Sequence, residues 1–168
     1  MSDISKEIET LAPQTGFSAD EYNAVAKGAE LEAIVLLNSS FSVELKFLPR
    51  RRDWKLSYGR KVKSCHYTAE KSSVAAVFEY HVTAKVGRST ALKCVAEYAV
   101  FYETPAGATD EAARGFCRNI GVFAAYPYFR SLTAKLVAEA NVLLPPLPAI
   151  ASTAHIPPKA AKTKEISE

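Results

Sequence analysis

A chain of 168 residues with 48% apolar and 23% charged residues and only seven glycines has the composition of one globular domain plus tails. It can bury about two-thirds of its unfolded surface, so it needs neither a metal nor disulfides to hold together. The net charge of +3 singles out no partner, but it is unevenly spread. Residues 1–32 carry seven acids against two bases, whereas Arg50 to Lys63 holds seven bases against Asp53 alone. Such a basic segment can touch nucleic acid or an acidic partner, or it can be a solvated loop or strand face.

Met1 to Thr10 is polar and lacks the apolar core of a signal peptide. No stretch approaches the ~18 uninterrupted apolar residues of a membrane span. Both features predict a cytoplasmic protein with no membrane partner. Cys65, Cys94 and Cys117 are odd in number and share no metal-like spacing, which suits reduced thiols.

Residues 1–16 read as a loose extension. Ser18-Ala19-Asp20-Glu21 then forms a capping box, with Phe17 and Tyr22 at the two positions of a hydrophobic staple and Gly28 placed to close a short helix. From Ala33 the apolar period becomes two. Ala33, Val35, Leu37, Phe41, Val43, Leu45 and Phe47 predict one strand face, and Asn38, Ser40, Ser42, Glu44 and Lys46 the other. Pro49 and Arg50-Arg51-Arg52 end that strand, and another is expected within Trp54 to Tyr67. Val74, Ala76, Phe78, Tyr80, Val82, Ala84 and Val86 make an unbroken apolar face. Gly87-Arg88 supplies a two-residue turn of type II′. The return strand carries Leu92, Cys94, Ala96, Tyr98, Val100 and Tyr102 on one face. Strands this long with one apolar face require something large laid across them. Thr109-Asp110-Glu111 caps a helix that continues to about Ala140, with a kink expected at Pro127. Leu143-Leu144-Pro145-Pro146-Leu147-Pro148 is an apolar crossover that cannot be helical. Residues 151–168 are rich in Ala, Lys and Pro, a composition that predicts a disordered tail.

No phosphate loop, nucleophile elbow, paired-His zinc motif or Cys-x-x-Cys occurs. Cys65-His66 could be half of a catalytic or metal pair, but no further residue is singled out to complete it. His81 lies on a polar strand face, and Glu97 and Glu103 are too far apart for a dyad. No catalytic residue, metal or cofactor is assigned, and the chain reads as a non-enzyme. Its conspicuous feature is surplus apolar surface. Tyr126, Tyr128, Phe129, Leu143, Leu144 and Leu147 exceed what one sheet and one helix can cover, and uncovered faces become interfaces or grooves.

The residues also resemble SecB, a bacterial chaperone family that keeps preproteins unfolded for export. Val82-Thr83-Ala84-Lys85-Val86-Gly87 with Thr90-Ala91 and Cys94 is similar to the family's central hairpin. Asn119-Ile120 through Phe123, followed by Tyr126-Pro127-Tyr128-Phe129-Arg130, is similar to its long-helix signature. Leu144-Pro145-Pro146-Leu147 is similar to its crossover. The resemblance spans roughly residues 33–150. It implies an α+β fold with a four-stranded antiparallel sheet and one long kinked helix packed on it. It further implies a homotetramer built as a dimer of dimers, with helices sandwiched between sheets, and grooves that hold unfolded polypeptide without nucleotide.

On that basis the chain divides into an N-terminal extension with a short helix (1–32), a SecB-like domain (33–150) and the tail (151–168). Client binding is expected at Tyr126, Tyr128, Phe129, Leu143, Leu144 and Leu147, with Phe78 and Tyr80. Oligomer contacts are expected at Phe116, Ile120, Phe123, Leu132 and Leu136. Three departures from the pattern bear on function. The stretch after the crossover, Ala151 to Pro158, cannot form the family's second helix. Ser40, Glu44, Lys93 and Val95 stand where the family carries an acidic face for the export motor SecA. The net charge is basic rather than acidic. These departures point to a narrow client such as an antitoxin, and to weak SecA binding, over general export. A different class of function, nucleic-acid binding through residues 50–63 with Trp54 and Tyr58, is the alternative.

Overall fold

The computed structural model describes residues 16–47 and 54–150. Its elements are α1 (Ala19–Gly28), β1 (Glu30–Val43), a 3₁₀ turn (Leu45–Phe47), β2 (Lys55–Thr68), β3 (Ser73–Val86), β4 (Ser89–Glu103) and α2 (Asp110–Glu139). The four strands form one antiparallel sheet in the order β1-β4-β3-β2, and α2 lies across one face of it. Both expected features of the fold, the four-stranded sheet and the long helix packed on it, are present.

The β3–β4 hairpin forms because its alternation is uninterrupted. Val74, Ala76, Phe78, Tyr80, Val82 and Ala84 pair with Tyr102, Val100, Tyr98, Ala96, Cys94 and Leu92, and all twelve are buried. Gly87 turns the chain with φ +59°, the sign that a type II′ turn needs at its first central position. Opposite α2, the outer sheet face is polar at its centre. There Lys63 reaches Glu97 (3.0 Å) and Glu79 (3.5 Å), and the two carboxylates raise its pKa.

β1 departs from the expected pattern. Its pairing with β4 slips between Leu36 and Asn38, so Leu37 is an extra residue that flips the strand's alternation. Leu36, Phe41 and Val43 therefore lie on the helix side, opposite Tyr98, Cys94 and Leu92, while Ala33 and Val35 face outward with Phe101 and Ala99. The strand also ends at Val43, so Leu45 and Phe47 belong to the 3₁₀ turn and not to its face.

α1 begins with the expected capping box. Ser18 N–H and Oγ both donate to the Glu21 carboxylate, at 2.7 and 2.8 Å, and Glu21 N–H donates back to Ser18 Oγ at 3.2 Å. The staple rings of Phe17 and Tyr22 stack at 5.6 Å. Gly28 is the last residue of the helix but does not close it as expected. Its φ is not left-handed, and a Cβ there would press on the Pro105 ring at 3.2 Å. α1 belongs to the same core as the sheet, since Val25 is 1% exposed and Tyr22 meets Phe116. A boundary after residue 32 would fall inside β1.

α2 runs unbroken for 30 residues through Pro127. Close approach to the sheet is possible because position 121 is glycine, where a Cβ would lie 2.9 Å from the Phe78 ring. Beneath this helix Tyr80 stacks on Phe129 at 5.4 Å and donates to the Val122 carbonyl at 2.7 Å. Burial pushes the Tyr80 phenol well above its ordinary pKa. No helix among the described residues is long and apolar enough to cross a membrane.

Candidate functional site: an apolar groove beside the long helix

The groove is built from the end of α2. Asn141 takes a left-handed conformation, φ +52°. Val142 N–H donates to the Val137 carbonyl and Asn141 N–H to the Ala138 carbonyl, both at 3.0 Å. This is a Schellman closure, and its accompanying apolar contact is made by Val142 and Val137 in one buried cluster. The closure turns the chain back along the helix as an extended crossover over 142–150. Two anchors hold the crossover. Leu147 is 4% exposed and inserts into the main core, and Tyr126 Oη donates to the Pro148 carbonyl at 2.7 Å.

Between helix and crossover lies an open cavity of about 720 Å³, within the range of ligand pockets. One wall is a helical stripe at three- and four-residue spacing through Phe123, Tyr126, Arg130, Ala134, Val137 and Asn141; the other is the crossover from Val142 to Ile150. The walls are mostly apolar and include no carboxylate. Among the described residues there is no cluster of His, Cys, Asp or Glu able to hold a metal. The groove offers contact area and shape rather than reactive groups.

The residues expected to bind clients do not all meet here. Tyr126, Leu143, Leu144 and Leu147 line the groove. Of these, Leu143 is 67% exposed, while Tyr126 and Leu147 are committed to holding the crossover. Phe78, Tyr80 and Phe129 are at most 1% exposed: they form the core under α2 and cannot touch a client directly. Tyr128 is exposed but turns away from the groove toward Tyr98, at 6.5 Å. Sequence reasoning missed Arg130, Ala134, Val137 and Asn141 as wall residues. The signal that could have found them is the helical stripe continued from Phe123 and Tyr126.

The residues expected at an oligomer interface also divide. Phe116 is buried in the core against Tyr102, at 5.1 Å, and Tyr22, so it is unavailable to a second copy. Phe123, Leu132 and Leu136 are partly buried against the core, and Phe123 also lines the groove. Ile120 is exposed.

Cys65 of β2 and Cys117 of α2 are both buried, with Cys65 Sγ donating to the Arg114 carbonyl at 3.7 Å. The neighbouring Cys65 sulfur and burial together push the Cys117 thiol far up. His66 lies on the outward face of β2, paired with Ala75, away from any such group. The basic segment is likewise split. Lys55 and Lys61 pair on the outer face with Lys85 and Glu79, while Arg60 pairs with Tyr80 on the helix side. The Trp54 indole N–H is buried. The described bases and aromatics of this segment thus form no single stripe; Arg50-Arg51-Arg52 and Pro49 lie outside the described residues.

Comparison with solved structures identifies the architecture. The Mycobacterium tuberculosis protein Rv1957, described as a SecB-like chaperone in complex with a ChAD peptide from the Rv1956 HigA1 antitoxin, superposes with a TM-score of 0.63 over 79% of this chain and 97% of that one, at 18% identity. The fold is SecB-like. No protein-family model matches the sequence, and no curated protein does. Within this SecB-like frame the groove lies between the long helix and the crossover, and the outer sheet face carries Ser40, Val95 and Lys93 side by side. Glu44, just beyond β1, is ion-paired with Lys46.

Proposed function

We propose that this chain is a nucleotide-independent holdase chaperone that keeps aggregation-prone polypeptide segments in the groove between α2 and the crossover. The observation that carries this reading is the groove itself: an open apolar channel with an exposed Leu143 and no reactive cluster, on a SecB-like fold. A non-native segment laid there exchanges exposed hydrophobes for groove surface, and each large apolar side chain so covered contributes about 1.5–3 kcal/mol. The antitoxin peptide held by Rv1957 supports a narrow client of that kind for this chain as well.

The protein works in the cytoplasm as a homo-oligomer, with a dimer of dimers as its full assembly. Leu31, Leu36, Ile120 and Tyr128 are exposed large apolar residues on β1 and α2, and a long edge strand with such neighbours favours being covered by a second copy. SecA is at best a weak partner, because Lys93 and Val95 replace acidic or neutral docking groups and electrostatic mismatch lowers both affinity and on-rate.

The purified protein should suppress aggregation of a chemically unfolded client in the absence of ATP. Leu143→Ser should weaken that protection several-fold without changing the melting temperature by more than a few degrees. Undiminished protection by the folded variant would remove the groove from the function.

A further inference from the structure

The walls of the groove are apolar, but their charge is one-sided. Arg130 is the one charged side chain among the lining residues. At the Phe123 end a second guanidinium arrives from the sheet. β2 places Arg60 on the helix side, opposite Tyr80, and its Cζ stands 5.3 Å from the centroid of the Phe123 ring. Both arginines are exposed, and neither forms an ion pair among the described residues. Both act electrostatically on the Tyr126 hydroxyl, opposing the upward push that burial gives its pKa. The groove therefore has one guanidinium on its wall, Arg130, and another beside the Phe123 ring, Arg60, neither ion-paired among the described residues.

We infer that the groove selects apolar client segments flanked by acidic side chains, with Arg60 and Arg130 as the residues that read the acids. This rests on the holdase reading above and names the client class for that site. The physical reason is complementarity. A guanidinium matches a carboxylate with two parallel hydrogen bonds, whereas a lysine or arginine on the client would meet like charge. From Phe123 to Ala138 the helical wall is roughly 22 Å long, room for about seven extended residues. An acid in the half of the wall from Phe123 to Arg130 can thus meet the arginines while the apolar residues lie along Val137, Leu143 and Leu144.

The test uses two labelled peptides with the same apolar centre, one flanked by Asp and Glu and the other by Asn and Gln, titrated by fluorescence anisotropy against the full chain. The acidic peptide should bind about tenfold more tightly at low salt, with the difference shrinking as salt rises. The double variant Arg60→Gln with Arg130→Gln should bind the acidic peptide no more tightly than the neutral one. The double Lys variant, which keeps the charge, should retain part of the preference. Equal binding of both peptides to the natural protein would overturn the acidic preference and leave the groove standing. Failure of both peptides to bind would overturn the holdase site itself. A preference that survives in the folded Gln variant would show that other residues read the acid.

Discussion

Leu143 and Leu147 sit four residues apart in the same Pro-rich crossover, and the sequence gives no reason to treat them differently. In the folded chain one is 67% and the other 4% exposed, so their substitutions should separate. Leu147→Ser removes a core side chain and buries a hydroxyl, and should destabilise by about 2–4 kcal/mol. That loss would lower the melting temperature by several degrees, read by circular dichroism or calorimetry. Leu143→Ser should leave melting nearly unchanged and reduce client protection. Tyr126→Phe should cost about 1 kcal/mol by releasing the Pro148 carbonyl. Its effect should show as faster hydrogen exchange confined to the crossover rather than as global unfolding.

The ends of helices and the faces of strands carry the next level of information. The α1 capping box was legible from four consecutive residues because its hydrogen bonds are local, and Ser18→Ala should cost about 1 kcal/mol. Hydrogen bonds from the Ser18 backbone and hydroxyl hold the Glu21 carboxyl below the usual carboxylate range. A folded pKa below the unfolded one means that this contribution is complete above the ordinary carboxylate range. It is lost as pH falls through the lowered folded value. Acid titration followed by tryptophan fluorescence should therefore show a smaller loss in Glu21→Gln than in the natural chain over that interval. At the other helix end Asn141→Gly should be tolerated or slightly stabilising, and Asn141→Val should destabilise, because only the left-handed conformation makes the Schellman closure. The β3 and β4 faces were equally legible, their alternation being unbroken. β1 was not, because the extra residue at Leu37 depends on pairing with β4 and leaves no mark in the period of β1 itself.

At the scale of the whole molecule the long helix covers β2, β3 and β4 better than β1, and the exposed Leu31, Leu36 and Tyr128 border the uncovered strip. The expected outcome in light scattering at micromolar concentration is a tetramer, or at least a stable dimer. A monodisperse 18.3 kDa particle would sink the assembly argument. Substituting Leu36→Lys places a charge on the open strip and should shift the population toward smaller species while leaving the monomer fold intact. Binding to the zinc-bearing tail of SecA, measured calorimetrically, should be weak or absent.

The alternation of β3 and β4, the N-caps of both helices and the proline crossover were determined by the sequence alone, because each depends on neighbours within a few residues or on a two-residue turn. The groove was only half legible. Its aromatic and leucine residues stood out, but which of them faces the cavity was decided by how the crossover folds back on α2, through the Val142–Val137 contact and the Tyr126–Pro148 hydrogen bond. The placing of Arg60 and Arg130 beside the same helix was invisible beforehand. They are seventy positions apart, and only the register of β2 on β3, combined with the helix lying over that pair, brings Arg60 to the Phe123 ring on the helix that carries Arg130. Local periodicity can say which side of an element is apolar; which apolar surface stays open depends on what the rest of the chain covers.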